Sequence, residues 1–166
     1  PYYKTNRTGI ESQISYEITD THTMVAGIMY EKMKFYDANI EANFTPTQTP
    51  GVIEPLPDFQ DFPDWRNYQS PKDGNFRAIF WEDVWDIRDD LHLNVGCRYD
   101  DYSYFGDAVS PRAGLNWEFM ENLHIKIHYG RAFRAPSLEE RYEPTWGSTD
   151  LDATTVDTYS LTFSGR

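Results

Sequence analysis

The chain has the length of one ordinary domain and a strongly acidic composition. Its 166 residues carry 15 Lys and Arg against 27 Asp and Glu, a formal net charge of −12, which argues against the basic surface of a nucleic-acid-binding protein. The longest stretch without polar side chains, residues 24–30, is far shorter than the roughly 20 apolar residues of a membrane-spanning helix. A single cysteine, Cys97, excludes an intrachain disulfide and a cysteine-built zinc site.

The first part of the chain predicts three strands and one long connection. Ile14, Tyr16 and Ile18 alternate with polar neighbours, which is the period of a strand with one dry face. Residues 22–36 and 76–87 also favour strands, although apolar and polar side chains are mixed on their faces. The segment between them, residues 37–75, holds six of the ten prolines and is therefore not strand throughout.

The second part of the chain shows the clearest alternation. From Leu91 to Asp100 every odd position is apolar and every even position is polar or glycine. The same period recurs in residues 113–119, 123–129 and 158–163. A helical period of 3.6 residues fits none of these runs. We therefore predict seven strands and an all-β fold.

The connections between these strands alternate between short and long. Residues 19–21, 88–90 and 120–122 suit tight hairpins, whereas residues 37–75, about 103–110 and about 135–152 predict long loops. In an antiparallel up-and-down meander, all short turns then lie at one end of the sheet and all long loops at the other. This layout is typical of an outer-membrane β-barrel.

A soluble antiparallel sandwich would show the same alternation, so three further features carry the membrane interpretation. The predicted strands have about 9 to 14 residues, suitable for a tilted membrane strand. Aromatic residues lie near the ends of the dry faces, as interfacial girdles require: Trp117, Phe119, Tyr99 and Tyr129. Charged or polar residues occupy the opposite faces, as in a wide barrel with a polar interior: His92, Arg98, Glu118 and Lys126.

Three motifs resemble the barrel of TonB-dependent outer-membrane receptors. They are Gly-Cys-Arg-Tyr-Asp at 96–100, Ser-Pro-Arg-Ala-Gly-Leu-Asn-Trp at 110–117, and Tyr-Gly-Arg-Ala-Phe-Arg-Ala-Pro-Ser-Leu-Glu-Glu at 129–140. Residues 150–159 are similar to the stretch that opens the next strand in that family, although Ala153 and Thr154 stand where a Pro-Glu pair is usual. The resemblance is strong over residues 76–166 and limited to the hairpin-and-loop pattern over residues 1–75.

The resemblance implies a 22-stranded barrel with an N-terminal plug, which binds a metal chelate or vitamin and imports it with energy from the TonB system. Seven strands cannot close such a wall, and the chain lacks a plug. We therefore expect residues 1–166 to be a partial barrel from a longer receptor in the outer membrane of a Gram-negative bacterium. The implied partners are membrane lipid and lipopolysaccharide, a small-molecule ligand such as a metal chelate, and TonB through the plug, with no nucleic acid.

The arginines of the Arg-Ala-Phe-Arg-Ala-Pro motif invite two interpretations. They could pair with acidic groups across the barrel interior or on a plug loop, or they could be architectural, with Pro136 ending the strand and Phe133 packing. We favour the architectural interpretation. The residues predicted to have structural roles are Arg98, Pro111, Arg112, Arg131, Phe133, Arg134 and Pro136.

Neither a metal centre nor an active site is expected. His124 and His128 share one face of a strand but stand roughly 13 Å apart at about 3.3 Å per residue, too far for one metal ion. The adjacent acidic pairs at 89–90, 100–101 and 139–140 lack the spacing of a calcium loop, and we expect them to be solvated turn and interior charges. No catalytic motif or cofactor-binding motif is present, so we predict no cofactor and no enzyme.

Ligand binding is expected on the long loops, which would converge on one rim. Rings mixed with arginines suit a flat, partly charged ligand such as a chelate. The candidate ligand-binding residues are Trp65, Arg66, Tyr68, Tyr102, Tyr104, Arg141, Tyr142 and Trp146. Alternatively, these rings pack against one another. Two other functions remain open: a soluble secreted β-sandwich that binds ligand, and a structural segment whose loops bind nothing.

Overall fold

A computed structural model describes residues 2–39, 41–46, 53–61, 73–137, 140–141 and 147–165. Within these ranges the chain forms nine strands. They are β1 (Tyr2–Thr19), β2 (His22–Asn39), β3 (Glu41–Pro46), β4 (Ile53–Asp61), β5 (Asp73–Arg88), β6 (Leu91–Tyr102), β7 (Gly106–Met120), β8 (Leu123–Arg134) and β9 (Thr154–Gly165). No helix in the described residues is long and apolar enough to cross a membrane.

Seven of these strands form one antiparallel sheet in the order β1-β2-β5-β6-β7-β8-β9. This arrangement confirms the predicted all-β meander of seven strands. The two further strands, β3 and β4, pair with each other as a separate sheet inside the connection predicted at 37–75. Pro55 and Pro57 lie within β4, where they are tolerated because a strand of a two-stranded sheet has one side without a hydrogen-bonding partner.

The short turns lie where the sequence predicts them. Residues 20–21, 89–90 and 121–122 each connect two adjacent strands of the sheet, and we call this end of the sheet the inner end. Asn122 adopts a positive φ of 63°, a conformation that asparagine tolerates better than most residues. Its backbone N–H donates to the Glu118 carboxylate over 2.9 Å, which closes the third turn.

The predicted long loop at 103–110 is wrong. The connection at the outer end, opposite the inner end, is a three-residue turn at 103–105, and β7 begins at Gly106. Gly106 has a φ of 114°, which only glycine adopts without strain. Pro111 is accommodated inside β7 because pairing with β8 begins one residue later, at Arg112, so no carbonyl on that side requires its missing N–H.

Three strands of the large sheet, β6, β8 and β9, have 12 residues and lie within the predicted 9 to 14. The other four, β1, β2, β5 and β7, are longer, with 15 to 18 residues, and β1 and β2 are the longest. The additional length lies mainly at the outer end, because β1 and β2 remain paired up to Tyr2 and Asn39. The outer ends of these two strands therefore extend beyond the alternating segments recognised in the sequence.

The register places apolar side chains of neighbouring strands on one face. Leu93 lies opposite Trp85 and Leu115, and Ile127 lies opposite Leu115 and Leu161; directly opposite residues share a face. We call this the apolar face, and its larger members are Ile10, Ile14, Tyr16, Ile28, Tyr30, Ile79, Trp81, Trp85, Leu93, Val95, Tyr99, Leu115, Trp117, Ile125, Ile127, Tyr129, Tyr159, Leu161 and Phe163.

No second layer covers the apolar face in the part of the chain that the structure describes. Ile127 is 49% exposed and Leu161 is 60% exposed, and each strand of the large sheet packs mainly against its sheet neighbours. A β-sandwich would bury these side chains beneath a second sheet. The soluble sandwich alternative therefore receives no support from the fold.

The opposite face, which we call the polar face, carries the small core that the sheet has. Met33, Phe76 and Ala78 are buried there, with Met29 and Tyr102 packed against them. Farther toward the inner end this face carries polar side chains from neighbouring strands: Glu82, Asn94, Arg112, Asn116, His124, Lys126 and His128. The core cluster thus lies at the outer end of the polar face.

Candidate ligand-binding site

A pocket of about 460 Å³ lies at the outer end of the polar face. Its walls come from all strands between β1 and β8 of the large sheet. The residues that line it include Met29, Phe76, Arg98, Asp100, Tyr102 and Phe133. The meander thus brings residues from distant parts of the chain to one concave surface.

Tyr102 is the centre of a cluster of aromatic rings beside this pocket. Its ring centroid lies 4.4 Å from Phe76, 4.6 Å from Phe105, 5.7 Å from Tyr104 and 6.1 Å from Phe133. Tilted and edge-on contacts of this kind stabilise each ring pair by about 0.5–1.5 kcal/mol beyond burial. The cluster joins Tyr102 and Tyr104, two predicted ligand residues, to Phe133, which was predicted to pack.

A buried ion pair forms part of the pocket wall. The Arg98 guanidinium donates to Asp100 over 2.8 Å and lies 5.8 and 5.5 Å from the ring centroids of Phe76 and Phe80. Asp100 is only 2% exposed, and its second carboxylate oxygen has no hydrogen-bond partner among the residues that the structure describes. The expectation that Asp100 is a solvated charge is therefore wrong, because this carboxylate is buried and paired with Arg98.

The position of Phe80 depends on a glycine in the neighbouring strand. Gly27 lies directly opposite Phe80 on the polar face, and a Cβ atom on Gly27 would stand 2.3 Å from the Phe80 ring. The ring therefore occupies the space that a side chain at residue 27 would take. This placement leaves the other side of the ring available to the Arg98 guanidinium.

The segment after β8 is held by Glu140. Its carboxylate accepts hydrogen bonds from both terminal nitrogens of Arg134, each over 2.9 Å, and from the Ser137 backbone N–H over 2.7 Å, while the Ser137 hydroxyl accepts from the Glu140 N–H. The Ser137–Glu140 exchange is a capping box. These donors lower the pKa of Glu140 to about 2. Glu140 is thus paired rather than solvated, contrary to expectation.

Arg141 lies in the same segment, away from the pocket wall. It is 8% exposed, and its guanidinium donates to the Leu151 carbonyl over 2.7 Å. The Ser148 N–H donates to the Glu140 carbonyl over 3.0 Å, which ties the same parts of the chain together. The structure therefore places Arg141 where it closes the connection between β8 and β9.

Other predicted structural residues make contacts within the sheet. Arg112 forms an ion pair with Glu82, which also accepts from Asn94, and it lies across Gly96, where an added Cβ would stand 3.1 Å from Nε. Arg131 lies at the outer end of the apolar face and donates two hydrogen bonds, of 2.9 and 3.0 Å, to Asp157 on β9. Pro136 is buried just after β8 ends.

The comparison with protein families covers nearly the whole chain. Residues 1–165 match the family described as TonB dependent receptor-like, beta-barrel. The chain belongs to this family. The resemblance noted in the sequence is confirmed, and the large sheet is identified as part of a barrel wall. The family is one of receptors rather than enzymes, which agrees at that level with the expectation that the chain is not an enzyme.

Two curated relatives are identical to this chain at about a third of the positions in a limited aligned segment. The vitamin B12 transporter BtuB of Vibrio cholerae serotype O1 is 32% identical over 73 residues, which are 44% of this chain and 12% of the relative. The ferric enterobactin receptor PirA of Pseudomonas aeruginosa is 37% identical over 71 residues, 42% of this chain and 10% of the relative. The matched part thus corresponds to about a tenth of these receptors.

Solved receptor structures share the fold over almost the entire chain. The ferric enterobactin receptor PfeA of Pseudomonas aeruginosa, as the G324V mutant, gives a TM-score of 0.72 at 17% identity, covering 99% of this chain and 25% of that one. The siderophore receptor PirA of Acinetobacter baumannii gives 0.68 at 16% identity, covering 99% and 25%. At these identities the likeness establishes the barrel-wall fold alone.

Five of the predicted ligand-binding residues lie outside the described residues: Trp65, Arg66, Tyr68, Tyr142 and Trp146. Of the three that are described, the structure brings Tyr102 and Tyr104 together and places Arg141 elsewhere. Their role in binding stays a prediction. Among the residues that the structure describes, no group of three or more His, Cys, Asp or Glu side chains could hold a metal ion.

The sequence does not predict the contact between Asp83 and His22 in the receptor wall. Asp83 lies on the apolar face between Trp81 and Trp85, and its carboxylate contacts His22 Nε2 over 2.6 Å. The His22 ring stacks on Trp85 with centroids 5.5 Å apart. The register between β2 and β5 would have revealed the pair, but neither strand alternates clearly enough to fix that register from sequence.

Proposed function

We propose that this chain is a wall segment of an outer-membrane receptor that takes up a small molecule, a metal chelate or a vitamin. The observation that carries the proposal is the segregation of side chains by face. One face is apolar across all seven strands and lacks a covering layer in the described residues, while the other carries ion pairs and a pocket. In a barrel wall, the apolar face would contact lipid and the polar face would contact the polar interior of the barrel.

The membrane placement is supported by aromatic residues at both limits of the apolar face. Tyr30, Tyr99, Tyr129 and Tyr159 lie toward its outer end, and Tyr16, Trp85 and Trp117 lie toward its inner end. Such residues favour the two interfaces of a membrane. The proposed surroundings are the lipid and lipopolysaccharide of a Gram-negative outer membrane.

The ligand site is proposed at the outer pocket together with the connections around it. Tyr102 and Tyr104 supply rings there, Arg98 supplies a guanidinium, and the two relatives named above are receptors for vitamin B12 and ferric enterobactin. A large ligand with flat, partly charged groups fits this combination. The other candidates, Trp65, Arg66, Tyr68, Arg141, Tyr142 and Trp146, keep their proposed role in the same site.

Transport is assigned to the complete receptor. Seven strands form only part of a closed wall, and the chain spans 25% of the PfeA structure that it matches. We assign coupling to the TonB system to the plug of the complete receptor, as the family resemblance implies. The contribution of this segment is then to form the wall and one side of the ligand site.

Ring removal in the full-length receptor tests the ligand proposal. Cyanocobalamin and ferric enterobactin serve as the two probes, and the variants are compared with the probe that wild-type cells bind. Tyr104→Ala and Trp65→Ala should weaken its binding by about tenfold or more. Tyr99→Ala, on the apolar face, serves as the matched control and should bind as wild type. Unchanged binding of both probes in both loop variants would show that these rings pack without contacting ligand.

A further inference from the structure

One oxygen of the buried Asp100 carboxylate is available to a hydrogen-bond donor from outside the sheet. Arg98 donates to Oδ1 over 2.8 Å, whereas Oδ2 has no hydrogen-bond partner among the described residues. The residues directly opposite Asp100 are Ala78 on β5 and Ala108 on β7, and neither of these side chains has a donor. Because a buried charged oxygen without a donor is unfavourable, a donor that reaches Oδ2 would stabilise this part of the wall.

Asp100 belongs to the wall of the outer pocket. Phe76 and Tyr102 line the same pocket, and their ring centroids lie 4.4 Å apart. The volume of about 460 Å³ lies within the range of small-molecule sites, which usually combine an apolar lining with a few polar groups that fix the orientation of the ligand. The pocket therefore offers rings to a flat group and a carboxylate oxygen to a donor at the edge of that group.

The arginines that line the pocket already have carboxylate partners. The pairs are Arg98 with Asp100, Arg7 with Glu31, and Arg131 with Asp157. An anionic group would have to displace one of these carboxylates, and it would be repelled by the Asp100 oxygen. A cationic group that approaches Asp100 would be repelled by the Arg98 guanidinium beside it. The charges around Oδ2 therefore favour an uncharged donor.

We propose that Asp100 makes the outer pocket selective for a ligand that inserts an uncharged amide or hydroxyl group beside a flat or apolar body. This inference rests on the ligand site proposed above and specifies the chemistry of the group that enters it. The inserted N–H or O–H donates to Oδ2 while Arg98 keeps its hydrogen bond to Oδ1. Because a site with a buried acceptor discriminates strongly against analogues that lack the donor, Asp100 is a specificity-determining residue.

The test compares three small probes of nearly equal shape. Benzamide carries an uncharged N–H donor, acetophenone has a methyl group in its place, and benzoate has a negatively charged oxygen there. Saturation-transfer NMR measures the affinity of each probe for the purified full-length receptor in lipid nanodiscs, and the signal from empty nanodiscs is subtracted. We expect benzamide to bind about fivefold or more tightly than either acetophenone or benzoate.

Substitution of Asp100 should abolish this preference. In Asp100→Asn the side-chain oxygen keeps the hydrogen bond from Arg98, so an NH₂ group replaces Oδ2 and benzamide should lose its advantage over acetophenone. Asp86→Asn is the control, because it makes the same charge change on the polar face at the inner end, where Asp86 contacts His92, and it should keep the preference. The double variant Arg98→Met, Asp100→Leu removes the ion pair without leaving an unpaired charge and should also lose the preference.

Three results would overturn the assignment. They are equal or tighter binding of acetophenone or benzoate by the wild type, an unchanged benzamide preference in Asp100→Asn or in the double variant, and no binding of any probe. The last result would show that another part of the receptor already satisfies Oδ2. The ligand site itself fails by a different result, which is unchanged ligand binding by cells that carry Tyr104→Ala or Trp65→Ala.

Discussion

At Gly27 the absence of a side chain determines where a ring of the neighbouring strand lies. The Phe80 ring fills the space above this glycine, and the Arg98 guanidinium lies on the ring. Gly27 thus positions the Phe80 ring, the ring contacts Arg98, and Arg98 pairs with the buried Asp100. The packing of this part of the proposed ligand site therefore requires a residue without a side chain at position 27.

Replacement of this glycine should therefore destabilise the receptor. Gly27→Ala forces the Phe80 ring out of its place and should cost about 1–3 kcal/mol of unfolding free energy, as overpacked sites do. Gly114→Ala is the matched control, since a Cβ there meets only His128, at 3.7 Å. Urea unfolding of the full-length receptor in lipid vesicles measures both. Equal stability of the two variants would contradict the proposed packing.

Glu140 makes the segment after β8 sensitive to strong acid only. Because the folded-state pKa of about 2 lies below the ordinary value of 4.5, the contribution of this carboxylate is fully present above pH 4.5. It is lost as the pH falls through about 2. Hydrogen exchange of the Arg141 and Ser148 amides, which donate within this segment, should show constant protection from pH 7 to 4.5.

The variant Glu140→Gln should lose this protection at neutral pH. A neutral amide cannot accept two charge-assisted hydrogen bonds from Arg134, so exchange of the same amides should accelerate. Asp157→Asn, which weakens the other arginine pair of the motif, serves as the control and should leave them protected. Unchanged exchange in Glu140→Gln would show that the segment is held by other contacts.

At the scale of strands, the sequence predicts a strand most clearly where one face contacts only apolar surroundings and the other face contacts only water. β6 and β8 alternate because one face meets apolar surroundings and the other meets water, so their period could be read directly. β5 reads as mixed for two physical reasons. Phe76 and Phe80 on its polar face pack into the core cluster and beneath Arg98, and Asp83 on its apolar face pairs with His22.

The candidate site was predictable only in part. Tyr102 and Tyr104 stand out as rings beside a turn, and the structure joins them. The aromatic cluster around Tyr102 combines rings from β5, the turn at 103–105 and β8, which are far apart in sequence. Such a neighbourhood becomes visible only when the register of several strands is known.

Lysine substitutions on adjacent residues of β8 should have opposite consequences. Ile127 lies on the apolar face and His128 on the polar face. A charge facing lipid near the bilayer centre costs about 2–4 kcal/mol, so Ile127→Lys should destabilise the full-length receptor by about that amount. His128→Lys should change its stability by less than about 1 kcal/mol. Comparable losses in urea unfolding experiments would argue against the assignment of the two faces.

At the scale of the whole sheet, the outermost strands have one side without a partner. β1 and β9 occupy the two edges of the large sheet, and unpaired edges readily form hydrogen bonds with other chains. The polypeptide of residues 1–166, expressed alone in detergent, should therefore associate into oligomers or aggregates. Sedimentation velocity measures this directly, and a stable monomer would contradict the expectation.

The central claim is that the apolar face contacts lipid while the polar face contacts a water-filled or protein-filled interior. A spin-label scan along β8, one cysteine at a time over residues 123–131 of the full-length receptor with Cys97→Ser, tests it most directly. In bilayers, odd positions should be accessible to oxygen, and even positions should be shielded from lipid and closer to aqueous nickel chelates. Equal accessibility of odd and even positions, or oxygen exposure at the even ones, would contradict the account.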